Sequence, residues 1–272
     1  MDNYALEHQT LLPVIEDAGR AVMRYFQEHD YTIQHKDADN PVTDADFAAN
    51  RIIRAALTKK FPHDAVLSEE SENSSERQRM EERLTKNRVW IIDPIDGTRE
   101  FIKGRPHFAI SVGLVVHGVP VLGFIHNPAQ QYMLSGGMSM GLFKNGTAFT
   151  PPERFGVNPT QALPNIIVSR SEYTHGHLPH LAKWYHNLES HTMGSIAYKL
   201  ALVADGTYDL TVSVKPKNEW DIAGGAALLK AARLILLDGA FNDFIFNKPQ
   251  TESLGLVAGT PEACAWYRTI FS

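Results

Sequence analysis

Cysteine is nearly absent from this sequence of 272 residues, which contains only Cys264. One cysteine excludes an intramolecular disulfide and a cysteine-rich zinc site. Because Cys264 falls in a predicted C-terminal helix, we expect it to pack rather than to act as a nucleophile. The sequence also lacks any apolar run near the ~20 residues that span a bilayer, and it begins without a basic and apolar signal segment. We therefore expect a cytoplasmic protein without a membrane partner.

Positive charge is also scarce. The chain carries 26 lysines and arginines against 31 aspartates and glutamates, which gives a net charge of −5. A surface that binds nucleic acids in general is normally basic, so this balance argues against such binding. Hydrophobic residues (43%) and charged residues (21%) stand in the proportions of a globular protein. The length fits either one large domain or two smaller ones.

The most informative segment present, Asp-Pro-Ile-Asp-Gly-Thr at 93–98, follows an apolar run. That run, Val89 to Ile92, predicts a buried strand, and Pro94 fixes φ where the strand is expected to stop. Gly97 lets backbone N–H groups approach an anion, and residues 98–101 predict a helix whose first donors favour phosphate. Carboxylates and phosphate oxygens are the ligands of Mg²⁺. The segment therefore predicts a metal-assisted phosphate site, with an ordinary polar strand-to-helix turn as the alternative.

Three further segments place acidic residues at the edges of apolar elements, namely 40–46, 67–71 and 219–225. Together with residues 90–98, their order and spacing resemble the inositol monophosphatase family of Mg²⁺-dependent, lithium-sensitive phosphatases. The resemblance covers about residues 36 to 237. It implies an α/β (α+β) fold, a layered sandwich of sheets and helices of the inositol monophosphatase and fructose-1,6-bisphosphatase type, with the site between two halves.

Apolar periodicity predicts the elements around these segments. Helical spacing predicts an amphipathic helix over residues 5–28, and Thr43 with Asp46 indicates a capping box that opens a second helix. Residues 73–88 are polar and predict a solvated loop or an exposed helix. From 108 to 144 the alternation predicts an antiparallel sheet.

The stretch from Thr150 to Pro164 is the best candidate for a boundary. Beyond it, apolar runs starting at 166, 210, 234 and 254 predict strands that alternate with helices near 178–187, 195–204, 221–232 and 261–270. We therefore expect an N-terminal α+β half, residues 1–150, with most of the metal ligands. The C-terminal α/β half, residues 151–272, would supply Asp221 and substrate contacts.

The resemblance implies a set of metal ligands by motif position. Glu69, Asp93 and the backbone carbonyl of Ile95 would hold one Mg²⁺, and Asp93 would bridge to a second ion held by Asp96 and Asp221. Two or three Mg²⁺ ions are expected, because two metals can serve both the attacking and the leaving oxygen of a phosphate ester. From the residues alone, the alternative for Asp221 is a helix N-cap.

The resemblance also implies how water would be activated. Thr98, hydrogen-bonded to Asp46, would orient the attacking water and draw off its proton. From the residues alone, the alternative for Asp46 is a helix-start acid. Lys36 matches a family lysine near the site, and Glu70 would support or cap the ligands. Contacts to a small phosphorylated substrate are implied for Glu69, Ile95, Asp96, Gly97, Thr98 and Asp221.

Within the family, the chain most resembles the bacterial 3'(2'),5'-bisphosphate nucleotidases, which release the 3'-phosphate of adenosine 3',5'-bisphosphate. The matching segments are Val66 to Glu70, Asp96 to Lys103, Val168 to Ser171, and Gly194-Ser195 followed by Lys199. Two features depart from this subgroup. Residues 108–114 are closer to the inositol type, and Gly224 stands where alanine is more usual. An inositol-1-phosphate or histidinol phosphate phosphatase is therefore the alternative.

Charge before Trp220 bears on the same choice. The segment 213–219 carries Lys215 and Lys217, and lysines there suit a second phosphate better than a neutral polyol. We expect Lys215 to bind the 5'-phosphate because Pro216 restricts it to extended geometry at a strand end. One alternative is that Lys217 makes this contact. The other is that both lysines are solvated residues of a turn.

A function of another class is a protein-binding factor that retains a phosphatase site. The intact set of acidic residues argues against a dead site but does not exclude a second role. The sequence leaves the oligomeric state open, a homodimer included.

Overall fold

The structure, a computed structural model, describes residues 3–37, 40–70, 82–152 and 163–271. The chain begins with two helices joined by an antiparallel hairpin: α1 Ala5–Glu28, β1 Ile33–Asp37, β2 Asn40–Thr43 and α2 Asp44–Lys60. α1 has the predicted bounds and buries Leu11, Ile15 and Val22 on one side. α2 opens with the predicted capping box, in which the Asp46 carboxylate accepts hydrogen bonds from Thr43.

A seven-stranded sheet packs against these helices. Its strands, in spatial order, are β3 Ala65–Ser68, β4 Arg88–Asp96, β5 Ala109–Val116, β6 Val119–Asn127, β7 Tyr132–Gly137, β8 Gly141–Lys144 and β9 Thr147–Phe149. β3 and β4 run parallel, and every later neighbour runs antiparallel. A short helix, α3 Thr98–Ile102, follows β4. The antiparallel sheet predicted over 108–144 is confirmed, and β9 extends it.

The C-terminal half adds a five-stranded sheet. Its elements in chain order are β10 Ile166–Ser169, α4 Arg170–Thr174, α5 Pro179–Ala182, β11 Thr192–Met193, α6 Ile196–Ala204, β12 Leu210–Ser213, β13 Lys217–Asn218, α7 Glu219–Ala231, β14 Ile235–Asp238, β15 Glu252–Ser253, β16 Leu256–Gly259 and α8 Pro261–Phe271. The sheet has the order β11-β10-β12-β16-β14, with β10 parallel to β11 and β12. β12 and β14 each pair antiparallel with β16.

The elements stack in layers, as predicted. Trp90 and Ile92 of β4 belong to the core shared with α1 and α2, whereas Val89 and Ile91 belong to the core shared with α6 and α7. A strand buried on both faces reads as a continuous apolar run, which explains residues 89–92. A third core lies between the second sheet and α8. α6 and α7 therefore lie between the two sheets.

Pro94 does not end β4 where the sequence predicted it would. The strand continues to Asp96, and its pairing shifts by one residue between Asp93↔Ser111 and Asp96↔Ala109. A proline has no N–H to donate to a ladder, and a bulge tolerates this because its extra residue is unpaired. The bulge keeps Asp93 and Asp96 on one ordered strand.

Other predictions were wrong or remain untested. The helix predicted near 178–187 is only α5, although Leu178, Leu181 and Leu188 are buried in the third core; the apolar spacing there reflects burial against that core rather than a continuous helix. Most of the polar 73–88 segment and of the 150–164 boundary lies outside the described residues, so both remain predictions. The division at residue 150 likewise stays a prediction.

Two further sequence predictions, that Cys264 packs in a helix and that no segment spans a bilayer, can also be compared with the structure. Cys264 is buried in α8, and burial raises the pKa of its thiol to about 12, which suits a packing residue. Among the described helices, none is both long enough and apolar enough to cross a bilayer.

Candidate active site

The site lies where parallel strands end at one sheet edge. Because β3 and β4 run parallel, their carboxyl ends meet, and the chain leaving β3 places Glu69 beside the end of β4. The Glu69 N–H donates to Ile92 O at 3.1 Å, which extends the ladder by one bond. The predicted ligand segments 67–71 and 93–98 are thereby brought together.

Three aspartates form a compact acidic cluster. Asp93 and Asp96 come from the end of β4, and Asp221 comes from the first turn of α7, which packs across the same sheet. Each offers a carboxylate oxygen, and these oxygens lie within 4.8 Å of one another. Residues more than 120 positions apart in the chain thus share one site, as the motif positions predicted.

The cluster is electrostatically unfavourable by itself. Burial, followed by repulsion from Glu69, Asp96 and Asp221, raises the pKa of Asp93 well above its ordinary value. Burial and the charges of Asp96 and Glu69 raise the pKa of Asp221 to about 8. Buried like charges are stable as anions only beside a compensating cation. The donor set, all carboxylate oxygens, fits a hard divalent ion such as Mg²⁺.

Asp96 is held from the opposite side by the start of α6. Its Oδ2 accepts from Ser195 Oγ at 2.7 Å and from the Ala197 N–H at 2.6 Å. Burial raises the pKa of Asp96, whereas these two bonds and the charge of Lys199 oppose that rise. Lys199 is itself buried, and burial lowers its pKa to about 8 against the attraction of Asp96.

Thr98 and Asp46 meet as predicted. Thr98 Oγ1 lies 3.3 Å from Asp46 Oδ1 and 2.9 Å from Ile95 O, so its single proton has two acceptors in reach. The other oxygen of Asp46 accepts from the Thr43 N–H at 2.8 Å and from Thr43 Oγ1 at 2.6 Å. Burial raises the pKa of Asp46 to about 7, with smaller contributions from Glu70 and Glu69.

Lys36 ties the two glutamates to this site. Its Nζ lies 3.1 Å from Glu69 Oε1 and 2.6 Å from Glu70 Oε1. Burial lowers the pKa of Lys36, but the two carboxylates outweigh that effect and raise it. Glu70 is buried, whereas Glu69 lines the cavity described next. These positions agree with the expectation that Glu70 supports the site and Glu69 faces it.

A cavity of about 640 Å³ lies over the acidic cluster. Glu69, the three aspartates, Gly97 and Thr98 line it, whereas Asp46, Glu70 and Lys36 lie behind this lining. Gly97 has φ +94°, and a Cβ there would lie 3.0 Å from His107 O, so glycine is required for this close approach. Cationic side chains also line the cavity: Arg99, Lys103, Arg105, Arg170, Lys199 and Lys217.

Lys217, rather than Lys215, lines the cavity. Lys215 is exposed on the loop between β12 and β13 and is not among the residues that line the cavity. Lys217 Nζ lies 3.6 Å from Glu172 Oε1 and lowers the pKa of Asp221. The predicted contact of Lys215 is therefore not supported by its position, and the alternative lysine faces the acidic cluster.

Comparison with known proteins agrees with this geometry. The inositol monophosphatase family model matches residues 8–261. The chain belongs to this family. Its family fold is also seen in the extragenic suppressor protein suhB from Bartonella henselae, which is 24% identical, with a TM-score of 0.77 over 98% of both chains. This confirms the predicted fold.

Two relatives with different names illustrate the activities found among similar proteins. The 3'(2'),5'-bisphosphate nucleotidase CysQ of Haemophilus influenzae is 30% identical over 261 residues, 92% of this chain and 90% of its own. A histidinol-phosphatase of Chlorobaculum parvum is 33% identical over 165 residues, 61% of this chain and 59% of its own. The first of these matches spans nearly the whole family domain.

Some residues of this inositol monophosphatase-family site were missed by sequence reasoning. Glu100 pairs with Arg170 and Arg105 on the cavity wall, although its motif position attracted no role. Ser195 and Lys199 were noted only as a family pattern, not as the support of Asp96. The contact between Ser195 and Asp96 joins positions 99 residues apart, and local periodicity carries no signal for such a pair.

Proposed function

We propose that this protein is a Mg²⁺-dependent phosphate monoester hydrolase and that its substrate is a 3'(2'),5'-bisphosphate nucleotide such as adenosine 3',5'-bisphosphate. The products would be AMP and phosphate. The observation that carries the proposal is the aspartate cluster around buried Asp93, beside Thr98 and Asp46, in a cavity that cationic side chains also line. The name of the Haemophilus influenzae relative supports the choice of substrate.

The ligand set proposed for Mg²⁺ follows the positions described above. Glu69, Asp93 and the Ile95 carbonyl would hold one ion, and Asp93, Asp96 and Asp221 a second; a total of two or three ions is compatible with this set. When bound, Mg²⁺ would compensate charge on the phosphoryl and leaving-group oxygens.

Protein groups would bind the phosphate and move the proton. The backbone N–H groups of Gly97 and Thr98, at the turn into α3, would donate to the phosphate. Asp46 would hold the Thr98 hydroxyl so that its oxygen accepts a proton from the attacking water and its own proton passes to Asp46. A base with a pKa of about 7, as burial gives Asp46, is well matched to this transfer near neutral pH.

Lys217 is the proposed contact for the second phosphate of the substrate. The aspartates serve the phosphate that is cleaved, so the other dianion needs a cation elsewhere in the cavity. Lys217 is only partly exposed, lines that cavity and is held near it by Glu172. Lys215 lies two residues earlier, on the loop before β13, and is exposed, which makes it a matched control.

A panel of phosphate esters tests the proposal. Phosphate release would be measured with adenosine 3',5'-bisphosphate, inositol-1-phosphate and histidinol phosphate, each with Mg²⁺, with EDTA and with added Li⁺. We expect the bisphosphate to have the highest kcat/KM and Li⁺ to inhibit. Histidinol phosphate is the second candidate substrate because of the relative from Chlorobaculum parvum. A preference for either monophosphate would overturn the proposed substrate but not the hydrolase.

Asp93→Asn tests the metal-assisted chemistry. Asp93 is 1% exposed and lies in the middle of the acidic cluster, so we expect the variant to fold and to lose nearly all turnover. Its melting temperature without metal should rise, since a repelling charge has been removed. Full wild-type turnover in EDTA, or an active variant, would contradict the proposal.

Lys217→Ala tests the second phosphate contact. We expect KM for adenosine 3',5'-bisphosphate to rise by the equivalent of about 1.5–3 kcal/mol, the scale of a charge-assisted hydrogen bond, with little change for inositol-1-phosphate. Lys215→Ala should change neither substrate. Equal losses on both substrates with Lys217→Ala would assign this lysine to the shared phosphate site or to folding.

A further inference from the structure

Two cationic side chains bind four consecutive backbone carbonyls in the segment 192–195, which leads from β11 into α6. Arg170 donates to Thr192 O at 3.2 Å. Lys199 Nζ donates to Met193 O at 3.3 Å, to Gly194 O at 3.1 Å and to Ser195 O at 3.0 Å. The segment has little freedom to move while both cations are in place.

Lys199 is committed to this segment. It is 2% exposed, and each of its three N–H donors has a carbonyl partner. Burying an ammonium is costly unless its donors are satisfied, so the three bonds explain how the lysine is tolerated in the core. An ammonium in this arrangement has no further donor to offer a substrate.

Ser195 needs such support. It has φ +49°, a left-handed conformation that is uncommon for residues other than glycine, asparagine and aspartate. In this conformation its Oγ accepts from the Tyr198 N–H at 3.0 Å and donates to Asp96 Oδ2. The same start of α6 presents the Ala197 N–H to Asp96 Oδ2. The geometry of 193–195 therefore decides where Asp96 points.

We propose that Lys199 is a positioning residue for the acidic cluster: it holds the 193–195 segment so that Ser195 and Ala197 bind one oxygen of Asp96 and leave the other to the metal. The proposal rests on the function proposed above, because it takes Asp96 as a metal ligand. It assigns Lys199 to the support of the cluster rather than to the substrate.

Removal of the ammonium has two opposite effects on metal binding. It frees the segment, which weakens the hold on Asp96, and it removes a positive charge that repels the cation. A single Lys199 variant measures only their sum. A double-mutant cycle with Ser195→Ala isolates the positioning effect, since Ser195 carries no charge and acts only through its hydrogen bonds.

The experiment uses the full chain and four proteins: wild type, Lys199→Met, Ser195→Ala and the double variant. Mg²⁺ dissociation constants are measured by calorimetry without substrate, and amide hydrogen exchange of residues 192–199 is measured without metal. Lys144→Met is the matched control, because Lys144 pairs with buried Asp205 at 2.8 Å outside the site. It should alter neither quantity.

We expect Ser195→Ala to weaken Mg²⁺ binding about tenfold to a hundredfold in the wild-type background, the usual loss when a group that orients a metal ligand is removed. In the Lys199→Met background the further loss should be less than about threefold, because the segment is already free. Exchange at 192–199 should be faster in Lys199→Met.

Equal effects of Ser195→Ala in both backgrounds, or unchanged exchange in Lys199→Met, would overturn the inference while leaving the proposed function in place. A wild-type protein that binds no Mg²⁺ would overturn the proposed function and the inference with it. If Lys199→Met does not fold, Ser195→Ala alone decides: an unchanged Mg²⁺ dissociation constant shows that the hold on Asp96 is irrelevant to the metal.

Discussion

At the scale of single residues, Asp46 and Asp221 each cap a helix and also face the site. Asp46 is the third helical residue of α2, where one oxygen caps Thr43 and the other faces Thr98. Asp221 has the same place in α7: its Oδ2 accepts from the Asn218 N–H at 2.8 Å, and the side chain also joins the acidic cluster. The sequence left a cap and a site residue as alternatives, and the structure shows that one carboxylate can serve both.

Thr98→Ala and Asp46→Ala test whether these residues act as one relay. Each single variant should lose turnover by about 10²–10⁴, the usual contribution of general-base catalysis, and the double variant should be no worse. Steady-state kcat at saturating Mg²⁺ is the measurement. Thr43→Ala is the control, because it weakens the cap without touching Thr98. Losses that multiply in the double variant would show independent roles.

At the scale of elements, α7 packs closely against the seven-stranded sheet. A Cβ on Gly123 of β6 would lie 2.1 Å from Gly224 O, and one on Gly113 of β5 would lie 2.7 Å from Ala223 C. The close approach places the first turn of α7, with Asp221, over the end of β4. Gly224, the departure from the usual alanine, lies at this contact.

Gly123→Ala should therefore destabilise the protein and shift α7. The added methyl meets helix backbone, which cannot rotate away, so we expect a loss of about 1–3 kcal/mol in the free energy of unfolding. Urea unfolding measures it. Lys230→Ala, on the exposed side of α7, is the control and should stay within about 0.5 kcal/mol of wild type. An unchanged Gly123→Ala would show that the helix can retreat without cost.

At the scale of the molecule, an ion-pair network beside the cavity joins elements that lie far apart in the chain. Glu100 of α3 pairs with Arg170 of α4, and Arg170 also donates to Thr192 O. Burial raises the pKa of Glu100, but the hydrogen bonds from His107 and Arg170 and the charge of Arg170 outweigh it and lower the pKa to about 2. The pair connects the β4 side of the site to the segment that holds Asp96.

This network should make stability depend on pH in one direction. A carboxylate whose pKa falls on folding adds stability above its ordinary pKa of 4.5, and that stability is lost as pH falls toward about 2. Glu100→Gln should cost about 1.5–3 kcal/mol at pH 7, and the difference from wild type should shrink between pH 5 and pH 2. Urea unfolding across this range measures it, with exposed Glu262→Gln as control. A difference that is constant with pH would contradict the assignment.

Much of the secondary structure could be predicted from the sequence because the interactions that cause it are local. The period of Leu11, Ile15 and Val22 marks α1, the capping box marks the start of α2, and the apolar run at 89–92 marks a strand buried on both sides. The order and spacing of four acidic segments indicated the family, and the structure brings the carboxylates of Asp93, Asp96 and Asp221 together.

Other features depended on contacts between distant parts of the chain. The bulge that carries Pro94 exists because β5 pairs across it, and Lys217 rather than Lys215 faces the cavity because Glu172 lies behind it. The support of Asp96 by Ser195 joins positions 99 residues apart. By itself the sequence determined the long helices α1 and α2, the main strands and the identity of the acidic residues, since propensity and periodicity act over a few residues. Only the tertiary structure decided which lysine faces the cavity and what holds each carboxylate, because packing between separate elements sets those distances.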